Sequence, residues 1–97
     1  IYNYPNPFKE STWFYFEHNQ PCCDIEVEIK IYTISGMLIK TIIERGLALE
    51  NKINPIEWNG CNDNGKRLES GMYLYNIRVK TTNGFFLESS NKLIILK

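Results

Sequence analysis

The chain has 97 residues, 43% of them hydrophobic, and its eleven basic and eleven acidic side chains leave no net charge. This suits one domain around one core, too apolar for a disordered segment and too evenly charged for an electrostatic nucleic-acid surface. No apolar run is long enough for a membrane helix, no basic run resembles a membrane anchor, and no signal-peptide pattern is present.

The chain begins at Ile1, so residues 1–97 are expected to be a single domain cut from the C-terminal end of a longer protein. Pro5-Asn6-Pro7 stiffens its start, because each proline fixes its own φ and restricts the residue before it. That segment is predicted to run extended. Residues 12–18, TWFYFEH, are β-branched and aromatic, and a strand there sets Phe14 and Phe16 against Trp13, Tyr15 and Glu17. Residues 25–31, IEVEIKI, place Ile25, Val27, Ile29 and Ile31 on one face and Glu26, Glu28 and Lys30 on the other. This is the pattern of a half-buried strand.

Ser35-Gly36 then marks a hairpin turn, with Gly36 supplying the positive φ it needs, and a strand is predicted over 37–43. GLALEN, at 46–51, contains helix formers but is too short to stand alone as a helix. A short strand at 56–58 precedes MYLYNIRVK at 72–80, which aligns Tyr73, Tyr75, Ile77 and Val79 opposite Asn76, Arg78 and Lys80. Thr82-Asn83-Gly84 is a second hairpin signal. The pieces after it, 84–90 and 92–97, are expected to form the returning arm and a last strand. Six or seven short strands with period-two patterning predict an all-β antiparallel sandwich.

The stretch at 58–75, WNGCNDNGKRLESGMYLY, invites a calcium reading. An EF-hand loop needs oxygen ligands at its first, third and fifth positions, glycine at its sixth and glutamate at its twelfth. With Gly65 as the sixth position, the first is Gly60 and the twelfth is Gly71, so both ends fail. Asp63 is the only carboxylate between Trp58 and Lys66. Asn and Asp also favour turns, so a turn is expected.

Three cysteines cannot complete a disulfide framework, and Cys22, Cys23 and Cys61 are expected to be free thiols. A Cys–His pair would have to use His18, the one histidine, yet nothing marks an orienting group or an oxyanion hole. Zinc would want paired ligand spacing that these residues lack. Trp13, Tyr15, Tyr73 and Tyr75 could form a flat sugar-binding platform, although aromatics in a small sandwich serve the core more often. No phosphate-binding glycine loop and no nucleophile elbow occurs. Elimination leaves a scaffold or interaction module.

The order of motifs adds to this. Tyr4-Pro5-Asn6-Pro7-Phe8 opens the chain, and the strand from Val27 leads into Ser35-Gly36. Trp58-Asn59-Gly60, Asp63-Asn64-Gly65 and Ser70-Gly71-Met72-Tyr73-Leu74-Tyr75 follow, and Lys92 to Lys97 close it. Over essentially its whole length the chain resembles the C-terminal sorting domains of type IX secretion, relatives of the immunoglobulin-like domain of the flagellar hook-capping protein. Asn59 stands where that family usually has aspartate, and Met37 where it usually has a basic residue. The ending Phe16-Glu17-His18-Asn19-Gln20-Pro21 is longer than in ordinary cargo signals and resembles the C-terminal domain of the system's gingipain-like (C25-type) sortase.

The resemblance implies an immunoglobulin-like sandwich of about seven strands. It implies no catalysis and no cofactor or metal in this segment, whose full-length parent would be a cysteine peptidase. It further implies partners among type IX secretion or attachment-complex proteins and the chain's own upstream domain, without nucleic acid or direct membrane insertion. The location would be the outer membrane or cell surface. The family-motif positions are Pro5, Asn6, Pro7, Phe8, His18, Gly36, Trp58 and Gly60, then Asp63, Gly65, Gly71, Tyr73, Tyr75, Lys92 and Lys97, with structural or recognition roles.

Overall fold

A computed structural model describes residues 2–15, 23–48, 56–81, 84 and 86–96. Its strands are β1 (Tyr2–Tyr4), β2 (Thr12–Tyr15), β3 (Cys23–Thr33), β4 (Leu38–Ala48), β5 (Ile56–Trp58), β6 (Gly71–Thr81) and β7 (Phe86–Ile95). A three-stranded sheet of order β1-β2-β5 packs on a four-stranded sheet of order β4-β3-β6-β7, and these neighbouring strands pair antiparallel. The connections match the immunoglobulin-like sandwich, with β4 as the extra strand beside the central hairpin sheet.

The core follows from alternation. Val27, Ile29 and Ile31 of β3 face Tyr75, Ile77 and Val79 of β6 in register, and all are buried. Leu93 and Ile95 of β7 extend that face, while Phe14, Ile56 and Trp58 come from the smaller sheet, with Phe8 beside them. Burying each such aliphatic side chain contributes on the order of 2 kcal/mol. Aromatic edge-to-face contacts tie the core together: Phe14 meets Tyr75 at 5.1 Å and Phe8 meets Trp58 at 5.7 Å. Buried Asn3 and Thr12 pair with each other, Asn3 Nδ2 donating to Thr12 Oγ1 at 3.2 Å and that hydroxyl donating to the Pro5 carbonyl at 2.8 Å.

Several sequence expectations need correction. Pro5 to Pro7 bends rather than running extended, with the peptide bonds before both prolines cis, and β1 forms ahead of it. The strand expected over 37–43 begins at Leu38 and continues to Ala48 along β3. The two final pieces are one strand, β7, paired with β6 from Phe86 to Ile95. A bulge between Ile31 and Tyr32 shifts the register from Ile31–Lys40 to Tyr32–Leu38. The extra residue, Ile39, packs against the core. Both hairpin turns use glycine at positive φ, +96° at Gly36 and +95° at Gly84.

Candidate functional site

The opening motif closes the sandwich. Phe8 bridges Ile95 in parallel, donating its amide to the Ile94 carbonyl at 3.0 Å and accepting from the Leu96 amide at 2.7 Å. Two residues earlier the Asn6 side chain, rather than its backbone, supplies the pairing. Its Oδ1 accepts from the Ile94 amide at 3.0 Å, and its Nδ2 donates to the Lys92 carbonyl and to Asn3 Oδ1, each at 3.3 Å. Asn6 to Phe8 therefore clasps the edge of β7 from Lys92 to Leu96. Lys97 and His18 lie outside the described residues.

The crossing from β5 to β6 is bound to its own chain. Trp58 Nε1 donates to the Cys61 carbonyl at 2.9 Å, and Asn59 Oδ1 accepts from the Cys61 amide at 3.1 Å. Gly60, at φ +78°, is buried with the Arg67 guanidinium and the Phe8 ring 3.4 Å from where a Cβ would stand. Arg67 donates to the carbonyls of Glu10 and Asn59. Asn62 Oδ1 accepts from the amides of Asn64 at 3.0 Å and Lys66 at 2.9 Å, shaping the turn at Gly65, whose φ is +81°.

Asp63 Oδ1 lies 3.7 Å from Lys40 Nζ and accepts from the Thr41 amide at 3.3 Å, while the Asp63 amide donates to Ile39 O at 3.1 Å. Asp63 thus guards the edge of β4. Among the described residues, no three of His, Cys, Asp and Glu gather as metal ligands would. Cys61 is a partly buried free thiol. Any pairing of His18 with Cys22, Cys23 or Cys61 falls outside the described residues, as His18 does.

The aromatic platform is divided between sheets. Tyr75 is core, whereas Trp13 lies on the outer face of the smaller sheet beside Tyr4. Tyr73 is half-buried on the inner row and donates its hydroxyl to the Glu69 carbonyl at 2.8 Å. Burial, and then the Glu69 carboxylate, raise the Tyr73 phenol above its ordinary pKa; burial alone raises that of Tyr75.

The outer face of the larger sheet divides in two. At one end the register sets Arg45–Glu26–Lys80–Phe86 beside Ile43–Glu28–Arg78–Glu88. Arg45 meets Glu26 at 3.2 Å, and Arg78 Nε approaches Glu88 at 3.2 Å at too poor an angle for a hydrogen bond, leaving an ion pair. These rows hold three cations and three carboxylates. The next rows are Thr41–Lys30–Asn76–Ser90 and Leu38–Tyr32–Leu74–Lys92, with Met72–Ile94 beyond.

Here Leu38, Met72 and Leu74 remain 46%, 41% and 39% exposed. Tyr32, Leu74, Asn76, Ser90 and Lys92 line an open groove of about 460 Å³. The motif reading missed this groove and the Asn6 clasp. The signal for the groove was Met72 and Leu74, apolar residues in the outward row of an otherwise alternating strand.

The secretion system C-terminal sorting domain family matches residues 3–95. No curated protein matches the chain. Among solved structures, dimeric latent PorU from Porphyromonas gingivalis is similar with a TM-score of 0.83 and 28% identity, over 99% of this chain and 9% of that one. PorZ, an essential bacterial surface component of the type-IX secretion system of the same organism, is similar with a TM-score of 0.48 and 18% identity. That likeness covers 100% of this chain and 11% of the PorZ chain. Matched from its first strand to its last, the chain belongs to the secretion system C-terminal sorting domain family.

Proposed function

We propose that this domain is the non-catalytic sorting and docking module of a type IX secretion sortase of the PorU kind. The observation that carries this reading is the likeness to PorU, 28% identical over 99% of the chain. On this reading a cysteine-peptidase domain upstream does the chemistry. The present domain directs the protein to the outer membrane or cell surface and holds it among attachment-complex proteins. Recognition falls to open strand edges and to the outer face, because unpaired backbone groups accept a partner strand.

A second reading, a cleavable sorting signal on another exported protein, is favoured by the family's description as a sorting domain. Mass measurement of the mature surface protein separates the two. Retention of residues 1–97 supports the docking module, and their removal favours the cleaved signal. A sugar-binding module is the weaker alternative, since the predicted platform is split between the two sheets.

A further inference from the structure

We infer that the groove on the outer face of the larger sheet, with the adjoining edge of β7 that is open among the described residues, takes an extended acidic segment of a partner protein that carries apolar side chains. The inference rests on the docking reading and names the chemistry of what docks. Three observations meet at this place.

The first is an edge that is only half closed. The clasp binds outward-pointing backbone groups of Lys92, Ile94 and Leu96. Antiparallel ladders alternate these groups every two residues, so those of Ser90 and Glu88 point to the same side, beyond the reach of Asn6. An added strand finds donors and acceptors there, and main-chain pairing supplies affinity without regard to sequence.

The second is the groove itself, which begins where the clasp stops. Ser90, Asn91 and Lys92 form its wall on β7, and Leu74 and Tyr32 its apolar floor. A partner chain paired at Ser90 and Glu88 has Leu74 one strand further in, about 10 Å away, and apolar side chains next to the paired stretch reach this floor across the small side chain of Ser90. Exposed Met72 and Leu38 extend the apolar surface beside it.

The third is charge. The two rows at the groove carry Lys30 and Lys92 and no carboxylate, whereas the far rows balance three against three. Lys30 lies 3.7 Å from Glu28 of a far row, and Lys92 has no carboxylate partner among the described residues. Asp63 lies against Thr41 at the far end of the Lys30 row, so Lys92 carries the unbalanced charge, and a positive charge beside an apolar floor selects against cationic strands and favours acidic ones.

The test uses two short blocked peptides, one alternating leucine with glutamate and one alternating leucine with lysine, followed by amide NMR shifts of the domain. The acidic peptide should shift Leu74, Glu88 and Ser90 and bind at least about tenfold more tightly than the basic one. Lys92→Glu should weaken it about fivefold, the scale of reversing one partly exposed charge. Leu74→Glu should abolish it, while Lys80→Glu in the balanced rows should leave it within about twofold.

Equal affinity for the two peptides, absence of shifts, or shifts centred on Tyr4 and Trp13 would overturn the inference. So would the same residues shifting with protein concentration alone, which would make the occupant a second copy. In the full-length parent, failed delivery on deletion of the domain but normal delivery with Leu74→Glu and Lys92→Glu would overturn this inference only. Normal delivery after deletion would overturn the docking reading itself.

Discussion

Replacing Asn6 with alanine isolates the clasp. The side chain makes three hydrogen bonds, to Asn3 Oδ1, to the Lys92 carbonyl and from the Ile94 amide. A net hydrogen bond contributes about 0.5–1.5 kcal/mol, and these are at the low end because water reaches the groups they leave behind. Asn6→Ala should therefore cost about 1–2 kcal/mol. With a urea slope near 1 kcal/mol/M for a domain of this size, the unfolding midpoint should fall by about 1–2 M.

Asn6→Asp makes the assignment specific. The carboxylate keeps an acceptor for the Ile94 amide but loses both donated bonds. Hydrogen exchange should then accelerate at Ile94 in Asn6→Ala, stay slow there in Asn6→Asp, and remain unchanged at Ile29 in both. An alanine variant within about 0.3 kcal/mol of the parent, or equal exchange at Ile94 in the two variants, would refute the clasp.

Three further outcomes follow from the same geometry. Asn62→Ala strips the acceptor from the amides of Asn64 and Lys66, and should cost about 1 kcal/mol in chemical denaturation. Ile29→Ala empties a fully buried site between β4 and β6 and should cost about 3 kcal/mol, read as a drop of more than 10 °C in melting temperature. Tyr73 and Tyr75 have raised pKa values in the folded state, so the unfolded chain loses its protons first as pH rises. Their contribution is complete below the ordinary tyrosine value of about 10 and is lost as pH climbs through the folded values. Denaturation midpoints should fall above about pH 10, less steeply in Tyr75→Phe than in the parent.

The core was legible because β3 and β6 lie at the centre of their sheet and need one apolar face. Ile25 to Ile31 and Tyr73 to Val79 alternate for that reason, and both strands emerge in the predicted register of faces. Gly36 and Gly84 were legible because positive φ leaves few alternatives to glycine. The misses lie at edges. β7 carries Glu88 to Lys92 in its middle, and polar residues cost little on an edge strand, so one strand read as two. β1 is only three residues long and ends against a proline, too short for any periodicity to register. The Asn6 clasp joins residues 86 and 88 positions apart in sequence, and no local pattern encodes such a bond.

An open sandwich must manage the edges of each sheet, and the larger sheet of this domain treats its two edges differently. On β4, Asp63 binds the backbone of Ile39 and Thr41, so the crossing loop covers the start of the strand. On β7, the clasp covers the end of the strand and stops at Lys92. Lysine at an edge ordinarily discourages pairing, yet this one stands beside exposed Leu74 and has no carboxylate partner among the described residues. A protein selected only against aggregation would gain from a polar residue at Leu74, which neither the core nor the clasp requires to be apolar. Retaining an apolar floor beside an edge unpaired among the described residues, with a positive charge next to it, is the arrangement of a surface kept open for a particular strand rather than protected from all strands.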